Sequence, residues 1–388
     1  MKPFKLLGAI LLIAGTTIGA GMLALPVILS FAGFFPSLLL FLVVWLVMLA
    51  SAWFLLDVNL ALPGEANFIS MAERSLGKIG KWLTWLFYLL LLYSLTAAYI
   101  AASAPLFGHA ISFATGKAVP NALSYFILPV LFAGFVYLGT KGVDLINRFL
   151  MVGLIIAYGM LVMFMPPYIQ PAFLLHSDFP QLKLAITVLF TSFGYHIVIP
   201  SLTTYLEHNK KHLRIAILAG SLIPLVVYIV WQLMVLGSVP LEVLKTAWEK
   251  GESATVPLAA VLKNPAISMA APFFSFFAIV TSFLGVALSL SDFLTDGLKL
   301  KKTWEGKWIA IAATFAPPLV FVFTYQKGFY LALTHAGTIV AILLGIIPAL
   351  MARTLKHHHL YKTIWGKTLI FLVLILCCAV IVFDFIPN

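Results

Sequence analysis

Residues 15–22 read Gly-Thr-Thr-Ile-Gly-Ala-Gly-Met, in the middle of an apolar run from Phe4 to Ser30 that is long enough to cross a bilayer. Each glycine costs a helix about 1 kcal/mol relative to alanine. In hydrocarbon the cost grows, because every freed backbone N–H and C=O needs a partner. Such a break persists inside a membrane only where the exposed backbone lines a cavity or holds a ligand. The feature points to a transporter.

The surrounding composition agrees. The chain is 62% hydrophobic and 10% charged over 388 residues, with a mean hydropathy of +1.08. That is the balance of a polytopic helical membrane protein, and it leaves no separate soluble domain. The N-terminal run has no cleavage site after it, so it reads as the first span and not as a removed signal peptide. Cys377 and Cys378 are neighbours and point in different directions on one helix, so no structural disulfide is expected.

Apolar runs set against charge clusters give eleven expected spans: 5–31, 35–60, 82–110, 123–139, 144–167, 181–206, 212–237, 267–296, 307–325, 328–351 and 364–385. With the N-terminus on one side, that side receives 18 of the 24 Lys and Arg, among them Lys5, Lys210, Arg214 and Arg353. The other side receives six, among them Lys245 and Lys250. The positive-inside rule then places the N-terminus in the cytoplasm and the C-terminus outside. The net charge of +11 is thus a topology signal, and no nucleic-acid partner is implied. The outer loop 238–266, with Pro257 and Pro265, reads either as a structured lid or as a plain solvated loop.

A second interruption lies five spans on, in Thr191-Ser-Phe-Gly-Tyr-His-Ile-Val-Ile-Pro200. It repeats the pattern of the first: hydroxyl residue, glycine, short apolar stretch, proline (Pro26 or Pro200). Five is odd, so the second enters the membrane from the opposite side. Interrupted spans at corresponding places of two inverted halves are the best sequence pointer to a secondary-transporter site. The alternative is a pair of glycine packing contacts of the kind common in membrane bundles.

Three stretches carry a more specific likeness. Ala14-Gly-Thr-Thr-Ile-Gly-Ala-Gly-Met-Leu-Ala-Leu-Pro26, Ser192-Phe-Gly-Tyr-His196 with Pro200-Ser-Leu202, and Thr281-Ser-Phe-Leu-Gly-Val286 with Asp292-Phe-Leu-Thr-Asp296 resemble the bacterial aromatic amino acid permease family, its tyrosine-permease branch in particular. The resemblance covers essentially the whole chain. It implies the five-plus-five inverted repeat of the amino acid–polyamine–organocation superfamily, a leucine-transporter-like fold. One transmembrane domain over 1–388 would comprise repeat one at about 5–167, repeat two at about 181–351 and an extra helix at about 364–385. It also implies cation symport, driven by H+ or Na+ with no other cofactor, of tyrosine, tryptophan or phenylalanine across the bacterial inner membrane, by a monomer.

An amino acid presents a carboxylate and an ammonium. The carboxylate suits the positive end of a half-helix, here the amides of Ala20 and Gly21, which Gly19 and Gly21 leave unobstructed. The fold's pattern gives the ammonium carbonyls near Thr16 and Thr17 and from Thr191, Ser192 and Phe193, around Gly194. His196 is an ionisable group inside a break and a functional suspect. It either bonds a substrate group, carries the coupled proton, or as a neutral ring holds the break open. Phe193 and Tyr195 flank it and can stack on an aromatic substrate or simply pack. By the same resemblance, carbonyls of Gly15, Ile18 and Ala278 with the hydroxyls of Thr281 and Ser282 form a cation site. Those hydroxyls can instead bond back to their own helix. Tyr93, or Tyr99, would close the site from the third span, or else each is an interfacial or packing tyrosine. Asp296 could latch an inner gate against Lys5 or stand as a solvated end charge.

His357-His-His359 lacks ligand spacing for a metal site and reads as a solvated loop. A channel would need a polar stripe or charge ring. A membrane enzyme would need acid–base partners at depth, and His196 has none in sequence. A carrier for non-aromatic neutral amino acids on the same fold remains the nearest alternative.

Overall fold

The computed structural model describes every residue except 1–2, 20, 63–65, 118–119, 139, 302, 326, 356–360, 362 and 386–388. Among the described residues there is no strand. The helices are α1 (Pro3–Thr17), α2 (Gly21–Leu29), α3 (Phe34–Ala61), α4 (Phe68–Thr115), α5 (Asn121–Leu138), α6 (Thr140–Phe164), α7 (Ile186–Ser192) and α8 (Ile199–Tyr205). They continue as α9 (Lys210–Ser238), α10 (Leu241–Lys250), α11 (Thr255–Leu262), α12 (Pro265–Gly297), α13 (Trp304–Thr324), α14 (Gly328–Val340), α15 (Ile347–Arg353) and α16 (Ile364–Phe385).

Among the described residues, nine helical stretches are long and apolar enough to cross a membrane, and ten if α1 and α2 form one bent span. The chain is therefore a multi-pass helical membrane protein. The other expected span, 123–139, coincides with α5, whose described apolar stretch Ala122–Gly134 falls short of that length.

Several boundaries differ from the sequence expectation for local reasons. The third helix begins at Phe68, well before 82, because Asn67 caps it by accepting from the Ser70 amide. It then kinks at Gly77, whose φ of 75° only glycine adopts at little cost. The stretch before α7 is a chain of short 3₁₀ turns, Pro166–Tyr168, Pro171–Leu175 and Phe179–Leu184. The segment 238–266 folds as α10 and α11, so the structured alternative is the one observed. It is stitched down by Ala254 N–H donating to Leu23 C=O and by the Tyr330 hydroxyl donating to Glu252 C=O. Trp248 packs between Phe31 and Tyr330.

Two interactions mark the opposite end of the bundle. Asp57, 2% exposed, accepts from Lys210 at 2.9 Å, Arg214 at 3.2 Å and the Tyr361 hydroxyl at 2.7 Å, tying α3 to α9 and to the start of the last helical segment. Lys5 pairs with Glu207 at 2.6 Å, joining the start of α1 to the turn after α8. Cys377 and Cys378 are free thiols.

Candidate functional site

Both expected interruptions are present. α1 and α2 meet at a 55° bend. α7 ends at Ser192, a 3₁₀ turn runs over Tyr195–Val198, and α8 resumes at Ile199. The two breaks touch through their small residues. A Cβ on Gly21 would stand 2.5 Å from Ser192 Oγ, and one on Gly19 would stand 2.5 Å from Ser282 Oγ on α12. These glycines therefore let three elements approach closely. That is a different reason from the open path to backbone amides inferred from sequence.

Tyr228, on α9, holds the junction. Its hydroxyl lies 2.7 Å from the Thr17 carbonyl and 3.0 Å from the Ser192 carbonyl, one oxygen at each break. Its ring packs edge-on against Phe193, with centroids 5.5 Å apart. Trp231, one residue short of a turn further along, donates to the Met22 carbonyl at 3.0 Å.

A cavity of about 410 Å³ opens at the breaks, within the range of small-ligand pockets. Gly15, Thr16, Thr17, Gly19 and Gly21 line one side, and Thr191, Ser192 and Gly194 another. α4 contributes Tyr88 and Tyr99, and α12 contributes Thr281, Ser282 and Ser289. The remaining wall is mostly aliphatic, including Leu91, Leu95, Leu333 and Val340. Leu11 and Leu12, 56% and 48% exposed, also line it.

Not every expected residue meets the cavity. Ala20 lies outside the described residues, as do His357–His359. Tyr93 turns away, its hydroxyl donating to the Ala313 carbonyl at 3.0 Å, while Tyr99 lines the wall. Phe193, Tyr195 and His196 are fully buried and sit behind the wall: Phe193, just after α7, packs on Tyr228 of α9, and the 3₁₀ turn carries Tyr195 and His196 toward α3 and α9. There the Met48 backbone and the Ser221 hydroxyl stand beside His196 and Tyr195 without forming a well-aligned hydrogen bond. Phe193 and Tyr195 thus pack behind the cavity in this arrangement and present no stacking face to it.

The hydroxyls at the breaks mostly bond back into their helices: Thr16 to Leu12, Thr17 to Ile13, Ser192 to Val188. Thr191 also reaches across to the Leu333 carbonyl of α14 at 3.0 Å. Thr281 donates to the Phe277 carbonyl at 2.7 Å, leaving its lone pairs for another partner. Gly15, Thr281 and Ser282 face the cavity, whereas Ile18 and Ala278 are not in its lining. Lys5 takes Glu207 and not Asp296, which is exposed at the end of α12. The reason is proximity: the turn after α8 lies under the start of α1, where Lys5 also approaches the Tyr205 ring. Hydrogen bonding to Lys5 holds the Glu207 carboxyl below its usual range.

Asn147 and Met151, from α6, also line the cavity, and neither was singled out from sequence. The amide oxygen of Asn147 is buried without a hydrogen-bond partner. The polar residue inside an apolar span was the only signal available for it. For Tyr228 there was none, since a lone tyrosine in a membrane helix is ordinary.

Residues 2–384 match the sequence profile of the tryptophan/tyrosine permease family. The chain belongs to that family. Among its relatives, this permease is 34% identical over 392 residues to the tyrosine-specific transport system 1 of Haemophilus influenzae, covering 97% of this chain and 95% of that one. It is 32% identical over 376 residues to a tryptophan-specific transport protein of Pseudomonas aeruginosa, with 94% and 90% covered. It is also 31% identical over 377 residues to glutamine transporter 2 of Aliivibrio fischeri, with 94% and 95% covered. The family expectation from the three sequence stretches is borne out, and transport replaces any enzymatic reading.

Proposed function

We propose that this permease carries an aromatic amino acid, tyrosine first, into the cytoplasm across a bacterial inner membrane by cation-coupled alternating access. The observation that carries the reading is the cavity at two touching helix breaks, of a size for one amino acid and walled by hydroxyl residues, glycines, aliphatic side chains and two tyrosines. The substrate carboxylate sits at the N-terminal end of α2, beside Gly21, where the helix dipole favours an anion. The ammonium takes carbonyls near Thr17 and Thr191. Tyr88 and Tyr99 take the place of Phe193 and Tyr195 as the aromatic surface of the wall.

The coupling ion is sodium, held by the Thr281 and Ser282 hydroxyls with backbone carbonyls of Gly15, Ile18 and Ala278, an all-oxygen set that suits a hard cation. In this scheme eleven spans form two inverted five-span repeats plus the extra helix, with the N-terminus in the cytoplasm. The unit is a monomer. A second reading, proton coupling through His196, draws on a buried imidazole whose nitrogens form no hydrogen bond of good geometry. The glutamine-named relative keeps a non-aromatic neutral substrate as the competing cargo.

The test is radiolabelled uptake into proteoliposomes, with tyrosine, tryptophan and glutamine as substrates and competitors and with sodium and proton gradients imposed separately. Saturable, sodium-driven tyrosine accumulation is expected. Preference for glutamine would overturn the aromatic assignment, and full uptake in sodium-free buffer would overturn the ion.

A further inference from the structure

A second cavity lies at the end of the bundle where α15 stops and α16 begins. It is lined by Arg353, Tyr361, Lys367, Thr368, Phe371 and Leu374, among others, and is about 760 Å³ in volume. The chain brings two cations to it from separate helices, fourteen residues apart. Among the described residues, no carboxylate pairs with either. The one carboxylate that Tyr361 reaches, Asp57, is already held by Lys210 and Arg214.

Below the cations the wall becomes apolar along α16, and only 28% of that helix's most apolar stretch is buried. The groove thus runs from a cationic, hydroxyl-bearing mouth at the membrane surface to a hydrocarbon-facing floor. Trp365, 80% exposed on the first turn of α16, stands at the same level, the depth that interfacial tryptophans favour.

We propose that this groove binds an anionic phospholipid. The phosphate would sit against Arg353 and Lys367, with the Thr368 hydroxyl as a further donor, and an acyl chain would lie along Phe371 and Leu374. A free anion would use only the mouth, and a neutral lipid only the floor. The shape and charge together select an amphiphile with a negative head. Basic pockets between membrane helices recognise such headgroups, each charge contributing an energy equivalent to about a fivefold gain in affinity. Because Tyr361 spans from this groove to Asp57, a bound lipid would also brace the joint between α3 and α9.

The full chain, purified in mild detergent, is titrated with dioleoyl-phosphatidylglycerol, with dioleoyl-phosphatidylcholine and with inorganic phosphate. Wild type should bind phosphatidylglycerol ~30-fold more tightly than Arg353→Gln/Lys367→Gln, and the Lys367→Gln single variant should lose about fivefold. Phosphatidylcholine should bind wild type and double variant alike, and millimolar phosphate should not displace phosphatidylglycerol. An unchanged thermal midpoint in the lipid-free double variant would show that the loss is local; if that variant unfolds, the single variant carries the comparison. Equal phosphatidylglycerol affinity in wild type and variants would overturn the proposal. Displacement by phosphate would also overturn it, in favour of a free-anion site.

Discussion

Tyr228 Oη lies 2.7 Å from the backbone oxygen of Thr17, and the same hydroxyl is 3.0 Å from the backbone oxygen of Ser192. One side chain on a continuous helix therefore shares its single O–H proton between a carbonyl at each of the two interruptions. Tyr228 itself is 1% exposed, so its hydroxyl is held at this junction and not in bulk solvent. Tyr228→Phe keeps the ring packing on Phe193 and removes only the bridge. It should cost about 1–3 kcal/mol of stability, read as a lower thermal midpoint in detergent. Substrate affinity, measured by equilibrium binding, should fall about tenfold as the breaks loosen, and unchanged affinity would remove Tyr228 from the positioning of the site.

The Gly21–Ser192 approach gives a paired test. Gly21→Ala places a methyl group 2.5 Å from Ser192 Oγ, an oxygen already bonded to the Val188 carbonyl, so something must shift. Binding should weaken sharply. Adding Ser192→Gly removes the obstacle and should restore at least part of the affinity, a coupling of about 1–2 kcal/mol in a double-mutant cycle. Additive losses would mean that the two residues act separately.

The ion is addressed by comparing two variants under imposed gradients. Under the proposed sodium scheme, Thr281→Ala/Ser282→Ala would remove two of about five oxygen ligands, and sodium dependence of uptake should disappear. His196→Gln keeps hydrogen-bonding capacity and cannot carry a proton near neutral pH, so under sodium coupling it should still accumulate substrate. The reverse pattern, accumulation lost only in His196→Gln, would transfer the coupling role to the buried imidazole.

Orientation can be read by labelling single cysteines with an impermeant maleimide in intact cells. Position 250, at the end of α10, should label from outside, and position 210, at the start of α9, only after permeabilisation. Labelling of both from one side contradicts an odd number of crossings between them.

Much of this architecture was readable from residue order, because the bilayer imposes simple rules. Gly15, Gly19 and Gly21 in an apolar run betray a broken helix, and the Thr191–Pro200 stretch betrays its counterpart. What resisted reading was direction. Whether Tyr93 or Tyr99 meets the cavity depends on helix rotation, and both lie on one long apolar helix with little amphipathic bias. Phe193, Tyr195 and His196 looked like site residues because they neighbour the break. A 3₁₀ turn, with its tighter winding, carries the Tyr195 and His196 side chains behind the wall. Lys5 found Glu207 in place of Asp296 because pairing of charges follows three-dimensional proximity, which charge counting along the chain does not supply.

The stitching of α10 and α11 onto α2 has a mechanical corollary. Ala254 N–H holds the Leu23 carbonyl, so the covering segment and the half-helix beside the cavity are fastened by a backbone bond. If α2 swings to admit substrate from that end, the cover must ride with it or let go. An antibody fragment gripping α10 and α11 would then act as a brake on turnover without ever entering the binding chamber.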